Sequence, residues 1–364
     1  MKIGILGGGQ LARMMALAGI PLGMEFIFLE PAAEACAAGL GEHLHGDYND
    51  PTLLAELVKR ADVVTYEFEN VPAATAEFLT SHTLVFPPAE ALAVAQDRWI
   101  EKNFLNHLAI PTPAYAAVNS LAELTQVMPS FGYPAILKSR TQGYDGKGQS
   151  VLHTEHDLAN AWQILKGVPA IVEAFIPFER EVSIIAARNR SHEIVFYPLS
   201  ENHHRKGILR TAQCLPNDSL QAQAEELVSR LLNALDYVGV LALEFFVVNN
   251  QLMANEFAPR VHNSGHWSIE GAQISQFENH LRAITDLPLG STAPVGFSAM
   301  INFIGALPDI KQVLTIPNAH LHSYNKKPRK GRKIAHACLR TFTADALQDG
   351  IEKLRALADI TDKS

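Results

Sequence analysis

Pro134-Ala135-Ile136-Leu137-Lys138 runs directly into Ser139-Arg140-Thr141-Gln142-Gly143-Tyr144-Asp145-Gly146-Lys147-Gly148-Gln149. The first five residues have the length and apolar character of a buried strand, yet they end in a lysine, which in such a place needs an anion. Counting Lys138, the stretch carries three glycines and three cations before the chain returns to Val151-Leu152. Flexible backbone amides beside cations cradle phosphate well. Gly146-Lys147 is followed by Gly148 rather than Ser or Thr, so this is not a Walker P-loop. An ordinary basic hairpin loop accounts for the same residues.

Downstream, Ala170-Ile171-Val172-Glu173-Ala174-Phe175-Ile176 is an apolar strand with one carboxylate, of a kind that can offer backbone carbonyls to an adenine amino group while its side chains pack on the ring. Val238 to Val248 is a strand interrupted by Glu244, and Leu252 to Phe257 is a second containing Glu256. Two buried carboxylates on neighbouring strands need a cation. A three-residue loop at Asn249, Asn250 and Gln251 would set them face to face, whereas a two-residue Asn-Asn turn would put them on opposite faces, so the metal reading predicts the odd loop. Oxygen ligands beside phosphate indicate magnesium rather than zinc.

Upstream, Lys2-Ile3-Gly4-Ile5-Leu6 ends in Gly7-Gly8-Gly9, and Gln10 to Ala18 has helical composition closed by Gly19. Further strands are predicted at Met24 to Leu29, Asp62 to Tyr66 and Leu84 to Phe86, with helical segments between, which together make a parallel doubly wound sheet. Gly7, Gly9 and Ala12 satisfy G-x-G-x-x-G/A and Glu30 follows the next strand, so a nicotinamide-dependent dehydrogenase is an alternative. Glu67-Phe68-Glu69 after the third strand reads equally as a solvated strand end or as carboxylates for sugar hydroxyls. Asp97 to Leu108 is helical, and Pro111-Thr112-Pro113 marks a boundary near residue 110.

The 364 residues suit two or three modules, and 48% apolar with 19% charged residues is ordinary globular usage. The first residues lack the long apolar core of a signal peptide, and no stretch reaches about 18 uninterrupted apolar residues, so the cytoplasm is the expected location and no membrane partner is expected. Cys36, Cys214 and Cys338 are too far apart in sequence for a zinc or disulfide pattern. A net charge of −8 disfavours nucleic acid. Lys326 to Lys333 nevertheless holds six cations in eight positions, which read alone is a nucleic-acid patch or a solvated basic loop.

Lys138, the Gly143 to Gly148 loop, Glu173, Glu181, Glu244 and Asn255-Glu256, in this order, resemble the ATP-grasp superfamily. Gly7-Gly8-Gly9-Gln10-Leu11, Tyr66-Glu67-Phe68-Glu69, Gly207-Ile208-Leu209-Arg210-Thr211 and the long string Ala258 to Trp267 narrow this to the N5-carboxyaminoimidazole ribonucleotide synthetases, across nearly the whole chain. The resemblance implies a fold mixing α/β and α+β parts: a doubly wound N-terminal domain over 1–95, an ATP-grasp fold over 96–290 and a small C-terminal domain over 291–364.

It also implies ATP and magnesium, with bicarbonate and 5-aminoimidazole ribonucleotide as substrates, and a homodimer. A non-catalytic nucleotide-binding protein on the same fold is the other alternative, against which the intact carboxylate pair argues. Lys138 and Gly143, Tyr144, Asp145, Gly146, Lys147, Gly148 and Gln149 would hold ATP phosphates, Glu173, Ala174, Phe175 and Ile176 the adenine, and Glu181 the ribose. Arg98, His204 and Asn255 would be further ATP contacts, with Glu244 and Glu256 on magnesium. Gln10, Leu11, Glu67 and Tyr144 would face the ribonucleotide, whose 5′-phosphate Lys326 and Arg332 would grip. Asp145 is the implied proton acceptor for the amine, and Arg260, just past the carboxylate strand, suits an anionic acyl phosphate. Gln142 and Asn325 stand where glycine is commoner in the family, and Asn tolerates positive φ.

Overall fold

A computed structural model describes residues 1–143 and 148–362. Four parallel strands open the chain: β1 (Lys2–Leu6), β2 (Glu25–Glu30), β3 (Glu42–His45) and β4 (Val63–Tyr66), in spatial order β3-β2-β1-β4. Strand β2 shows why it reads as one apolar run. Phe26 and Phe28 pack on one face with the helix Gln10–Gly19, while Ile27 and Leu29 pack on the other with the helix Pro51–Arg60. Leu84 to Phe86 is not the fourth strand expected. It makes a single bridge, Val64 to Val85, because Pro87 and Pro88 follow and lack the amide needed to continue a ladder.

A second sheet is antiparallel: β5 (Tyr115–Val118), β6 (Ala135–Ser139), β7 (Gln149–Leu152) and β8 (Ala170–Ala174), ordered β5-β8-β6-β7. The helices Leu121–Phe131 and Asp157–Ile164 cover it through Leu124, Met128, Leu158 and Ala161.

The remaining strands form one large antiparallel sheet: β9 (Arg180–Arg188), β10 (Ile194–Phe196), β11 (Ser200–Arg205), β12 (Ile208–Cys214), β13 (Gly239–Val248), β14 (Gln251–Ala258), β15 (Phe297–Gly305), β16 (Ala319–Ser323) and β17 (Arg329–Thr341). Their order is β14-β13-β9-β11-β12-β15-β17-β16, with β10 also on β9, so the sheet runs on through residue 290 by the β12–β15 pairing. One face, with Ile185, Ala187, Val240 and Ala242, packs with Met14 and Met15 of the helix Gln10–Gly19 and with Phe26 of β2. The other, with Ile184, Leu241, Leu243 and Phe245, packs on the helix Gln221–Ala234. Alternation then puts Glu181, Glu244 and Phe246 on the face turned to the N-terminal sheet, beyond the end of its core.

The β13–β14 connection overturns the three-residue loop. Val248 pairs with Gln251, so the turn is Asn249-Asn250 alone, and both residues have positive φ (49° and 57°), as a type I′ hairpin demands. A β-bulge restores what the turn would have cost. Phe245 faces Ala254, but Leu243 faces Phe257, so Glu244 alone stands opposite Asn255 and Glu256.

Candidate active site

A cavity of about 670 Å³ lies where the three sheets meet. Lys138 enters it from the end of β6, and Gly143 and Gln149 from the flanks of the glycine segment. Tyr144, Asp145, Gly146 and Lys147 fall outside the described residues, while Gly148 (φ 69°) and Gln142 (φ 59°) hold the left-handed conformation that turns the chain. Arg98 begins the helix Arg98–His107, which Asp97 caps by accepting from the amides of Trp99 and Ile100. From there Arg98 donates to the carbonyls of Ser139 (3.0 Å) and Gly143 (3.2 Å), tying the glycine segment to the cavity.

The anion required by Lys138 is Glu173, whose Oε2 lies 2.9 Å from its Nζ. Lys102 approaches the other oxygen at 3.6 Å. Burial alone would raise the Glu173 carboxyl, but the two ammonium groups hold it at about 2. Glu173 therefore faces inward, and β8 stops at Ala174, leaving Ala174 and Ile176 half-buried and Phe175 exposed beside the strand end, outside the cavity lining.

Glu181 on β9 and His204 on β11 line the cavity with Oε2 and Nδ1 2.7 Å apart. Glu244 and Glu256 face it together. Burial, followed by the charge of Glu256, lifts Glu244 to about 7, and the buried Oδ1 of Asn255 beside them has no partner. Two crowded carboxylates and an orphan amide oxygen form an oxygen-only set that fits magnesium. The His262 ring reaches Glu244 with Nε2 at 3.2 Å, while its Nδ1 accepts from the Ser264 amide; burial keeps the ring neutral, so Nε2 carries the proton and donates.

Arg260 lines the cavity and is fixed by a two-pronged bond to Glu69, at 2.6 and 3.1 Å. Of the two carboxylates after β4, Glu69 thus holds an arginine. Glu67 instead occupies the glycine turn: its oxygens accept from the amides of Gly9 and Ala12, and Glu30 accepts from Gly8 at 2.9 Å. The helix N-terminus that a dinucleotide pyrophosphate would need is filled by the protein's own carboxylate, which removes the physical basis of the dehydrogenase reading. Gln10 and Leu11, at the start of that helix, also line the cavity.

The basic run comes back to this floor. Lys326 donates to the side chain of Gln10 across 316 residues of sequence, and Arg332 sits at the start of β17 with Lys333, which lines the cavity. Asn325 has φ 56°, the conformation its place requires.

Glu101 and Lys102 are site residues that carry no signal in the sequence. Both are buried in the helix Arg98–His107, Glu101 lines the cavity, and burial with the charge of Glu256 pushes the Glu101 carboxyl up to about 8. No strand or motif flags them. Two successive charged residues on a helix read as a solvated face.

The model of the ATP-grasp domain matches residues 103–277, that of the ribonucleotide synthetase preATP-grasp domain 1–96, and that of the phosphoribosylaminoimidazole carboxylase C-terminal domain 298–350. The N5-carboxyaminoimidazole ribonucleotide synthase of Pseudomonas aeruginosa is 55% identical, covering 99% of this chain and all of that protein. The crystal structure of N5-carboxyaminoimidazole ribonucleotide synthetase from Thermus thermophilus superposes with a TM-score of 0.93 at 50% identity, covering 98% of both chains. A synthase from Aspergillus clavatus in complex with ADP and 5-aminoimidazole ribonucleotide superposes with a TM-score of 0.92 at 32% identity, covering 99% of this chain and 98% of that one. Fold, cavity and likeness over the full length agree: this chain belongs to the N5-carboxyaminoimidazole ribonucleotide synthase family of ATP-grasp enzymes.

Proposed function

We propose that the protein carboxylates the 5-amine of 5-aminoimidazole ribonucleotide, using ATP and bicarbonate and releasing ADP and phosphate, in purine biosynthesis. The observation that carries this is the union, in one cavity, of Lys138, the Glu244 and Glu256 carboxylates and Arg260 fixed by Glu69, with Gln10, which accepts from Lys326, on its lining. A bicarbonate oxygen attacks the γ-phosphorus and ADP leaves, giving carboxyphosphate. Breakdown of that anhydride frees carbon dioxide and phosphate, and the amine adds to the carbon and loses a proton.

Lys138, Arg98 and the 143–149 segment hold the ATP phosphates, Glu173 to Ile176 border the adenine, and Glu181 with His204 takes the ribose. Glu244, Glu256 and Asn255 hold magnesium, which supplies positive charge at the transferring phosphoryl group. Arg260, already fixed by Glu69, and Lys333 offset the charge of bicarbonate and carboxyphosphate with little reorganisation on binding. Neutral His262 donates to Glu244 and orients it. Asp145 accepts the amine proton, and Gln10, Leu11, Glu67, Tyr144, Lys326 and Arg332 receive the ribonucleotide. Carbon dioxide must be kept beside the amine, so the cavity has to exclude water during turnover.

The enzyme acts in the cytoplasm as a homodimer; no helix among the described residues is long and apolar enough to cross a membrane. Light scattering that returned a monomer mass at micromolar protein would refute the dimer. The activity is tested by ADP release with bicarbonate, with and without the ribonucleotide, and by identifying the product. Release that needs all three substrates and yields the N-carboxylated ribonucleotide is expected. Glu244→Gln and Glu256→Gln should each abolish it, and full activity in both would remove the metal assignment.

A further inference from the structure

The bulge in β14 decides which way Glu256 points. Leu252 and Ala254 face the core under the helix Gln221–Ala234, and so does Phe257, so the parity of the strand switches between 254 and 257. Without the extra residue Glu256 would share the face of Leu252 and Ala254 and be buried away from Glu244. A bulge displaced by a single residue would thus dismantle the carboxylate pair. Something must pin it.

Among the described residues β14 is the outer strand of its sheet and pairs with β13 alone, so its outward amides and carbonyls have no ladder to join. At the bulge two of them are taken by side chains. The Phe257 amide donates to Glu101 Oε1 at 2.6 Å, and the Lys102 ammonium donates to the Asn255 carbonyl at 2.8 Å. These bonds bracket Glu256 on both sides. Glu101 and Lys102 are 2% and 1% exposed, and two ionisable residues buried in succession are costly where a helix could pack Leu or Ala. Lys102 also approaches Glu173, the carboxylate that holds Lys138, and so links the bulge to the phosphate lysine on the other sheet.

We infer that Glu101 and Lys102 are positioning residues that fix the β14 bulge, and through it the aim of Glu256 and Asn255 at the metal. The inference rests on the reading of Glu244 and Glu256 as metal ligands. Neither Glu101 nor Lys102 need touch a substrate. Glu101 works as a hydrogen-bond acceptor for Phe257, so an amide oxygen at the same place keeps its role and an alkyl chain does not.

The test is Mn2+ binding in the presence of ADP, followed by electron paramagnetic resonance on the purified full chain, with turnover constants measured alongside. Glu101→Leu and Lys102→Met should weaken Mn2+ binding at least tenfold and lower kcat, while KM for 5-aminoimidazole ribonucleotide stays within twofold. Glu101→Gln should keep Mn2+ affinity within threefold of the parent. Wild-type affinity in both Glu101→Leu and Lys102→Met overturns the proposal, as does a Glu101→Gln as impaired as Glu101→Leu. Lys102→Met is read alone where Glu101→Leu does not fold. Glu256→Gln separates the two ideas: if it leaves Mn2+ binding intact, the metal reading fails and the positioning role with it. If it abolishes binding and the Glu101 and Lys102 variants do not, only the positioning role fails.

Discussion

A carboxylate decides what the N-terminal glycine turn can do. A Cβ on Gly9 would lie 2.6 Å from Glu67 Oε1, so Gly9→Ala has to expel the carboxylate from the amides it satisfies. Leaving those buried donors unpaired costs about 1–3 kcal/mol. Gly9→Ala should therefore lower the thermal midpoint by several degrees, and a midpoint within one degree of the parent would refute the packing. A second residue reports on acid stability. His280 bridges the N-terminal sheet and the ATP-grasp region, with Nε2 2.8 Å from Thr65 Oγ1 and Nδ1 accepting from the Val240 amide, and burial holds its pKa down to about 4. The unfolded chain binds this proton near pH 6.5 and the folded one only near 4. The stability from the neutral ring is thus complete above pH 6.5 and is lost as pH falls toward 4, by about 3 kcal/mol. Urea unfolding at pH 7 and 5 should show a smaller pH dependence in His280→Gln, and parallel slopes would contradict the assignment.

Elements differ in how far the sequence exposes them. β1, β2 and β4 are legible because strands buried on both faces are continuous apolar runs, and Lys138, Glu244 and Glu256 stand out as charges inside such runs. β3, with sequence Glu42-His43-Leu44-His45, has no such run and escapes notice as an edge strand. The β13–β14 hairpin is hard to read for a different reason. Sequence spacing assigns the facing carboxylates to the turn, whereas the register is corrected deeper in the hairpin by a bulge that leaves no mark in periodicity. Glu69 to Arg260, across 191 residues, and Glu101 to Phe257, across 156, are tertiary contacts that no local pattern encodes. The turn itself makes a prediction at this scale. Asn250 has φ 57°, so Asn250→Gly should be tolerated while Asn250→Val costs about 1–3 kcal/mol in thermal or urea unfolding. The bulge lies beyond the turn and is bonded independently, so ATP turnover at room temperature should persist in both. Loss of turnover in a folded Asn250→Gly would mean that the hairpin, not the bulge, sets the register.

At the scale of the molecule, a chain of net charge −8 brings its basic run back onto the first turn of its first helix. A concave site can focus enough field to hold a dianion against that background, where an open surface cannot. Lys326→Ala and Arg332→Ala should accordingly raise KM for 5-aminoimidazole ribonucleotide about tenfold or more and leave KM for ATP within twofold, since a remote phosphate grip binds ground and transition states alike. Unchanged constants for the ribonucleotide, or nucleic-acid binding with steep salt dependence, would move the grip elsewhere.

In the proposed reaction one cavity activates bicarbonate with ATP before the amine is carboxylated. Turnover with oxygen-18-labelled bicarbonate tests it most directly, because the oxygen that attacks the γ-phosphorus stays with phosphorus when carboxyphosphate breaks down. One labelled oxygen is expected in each phosphate released, in step with N-carboxylated product. Phosphate that carries no label while product accumulates would contradict it.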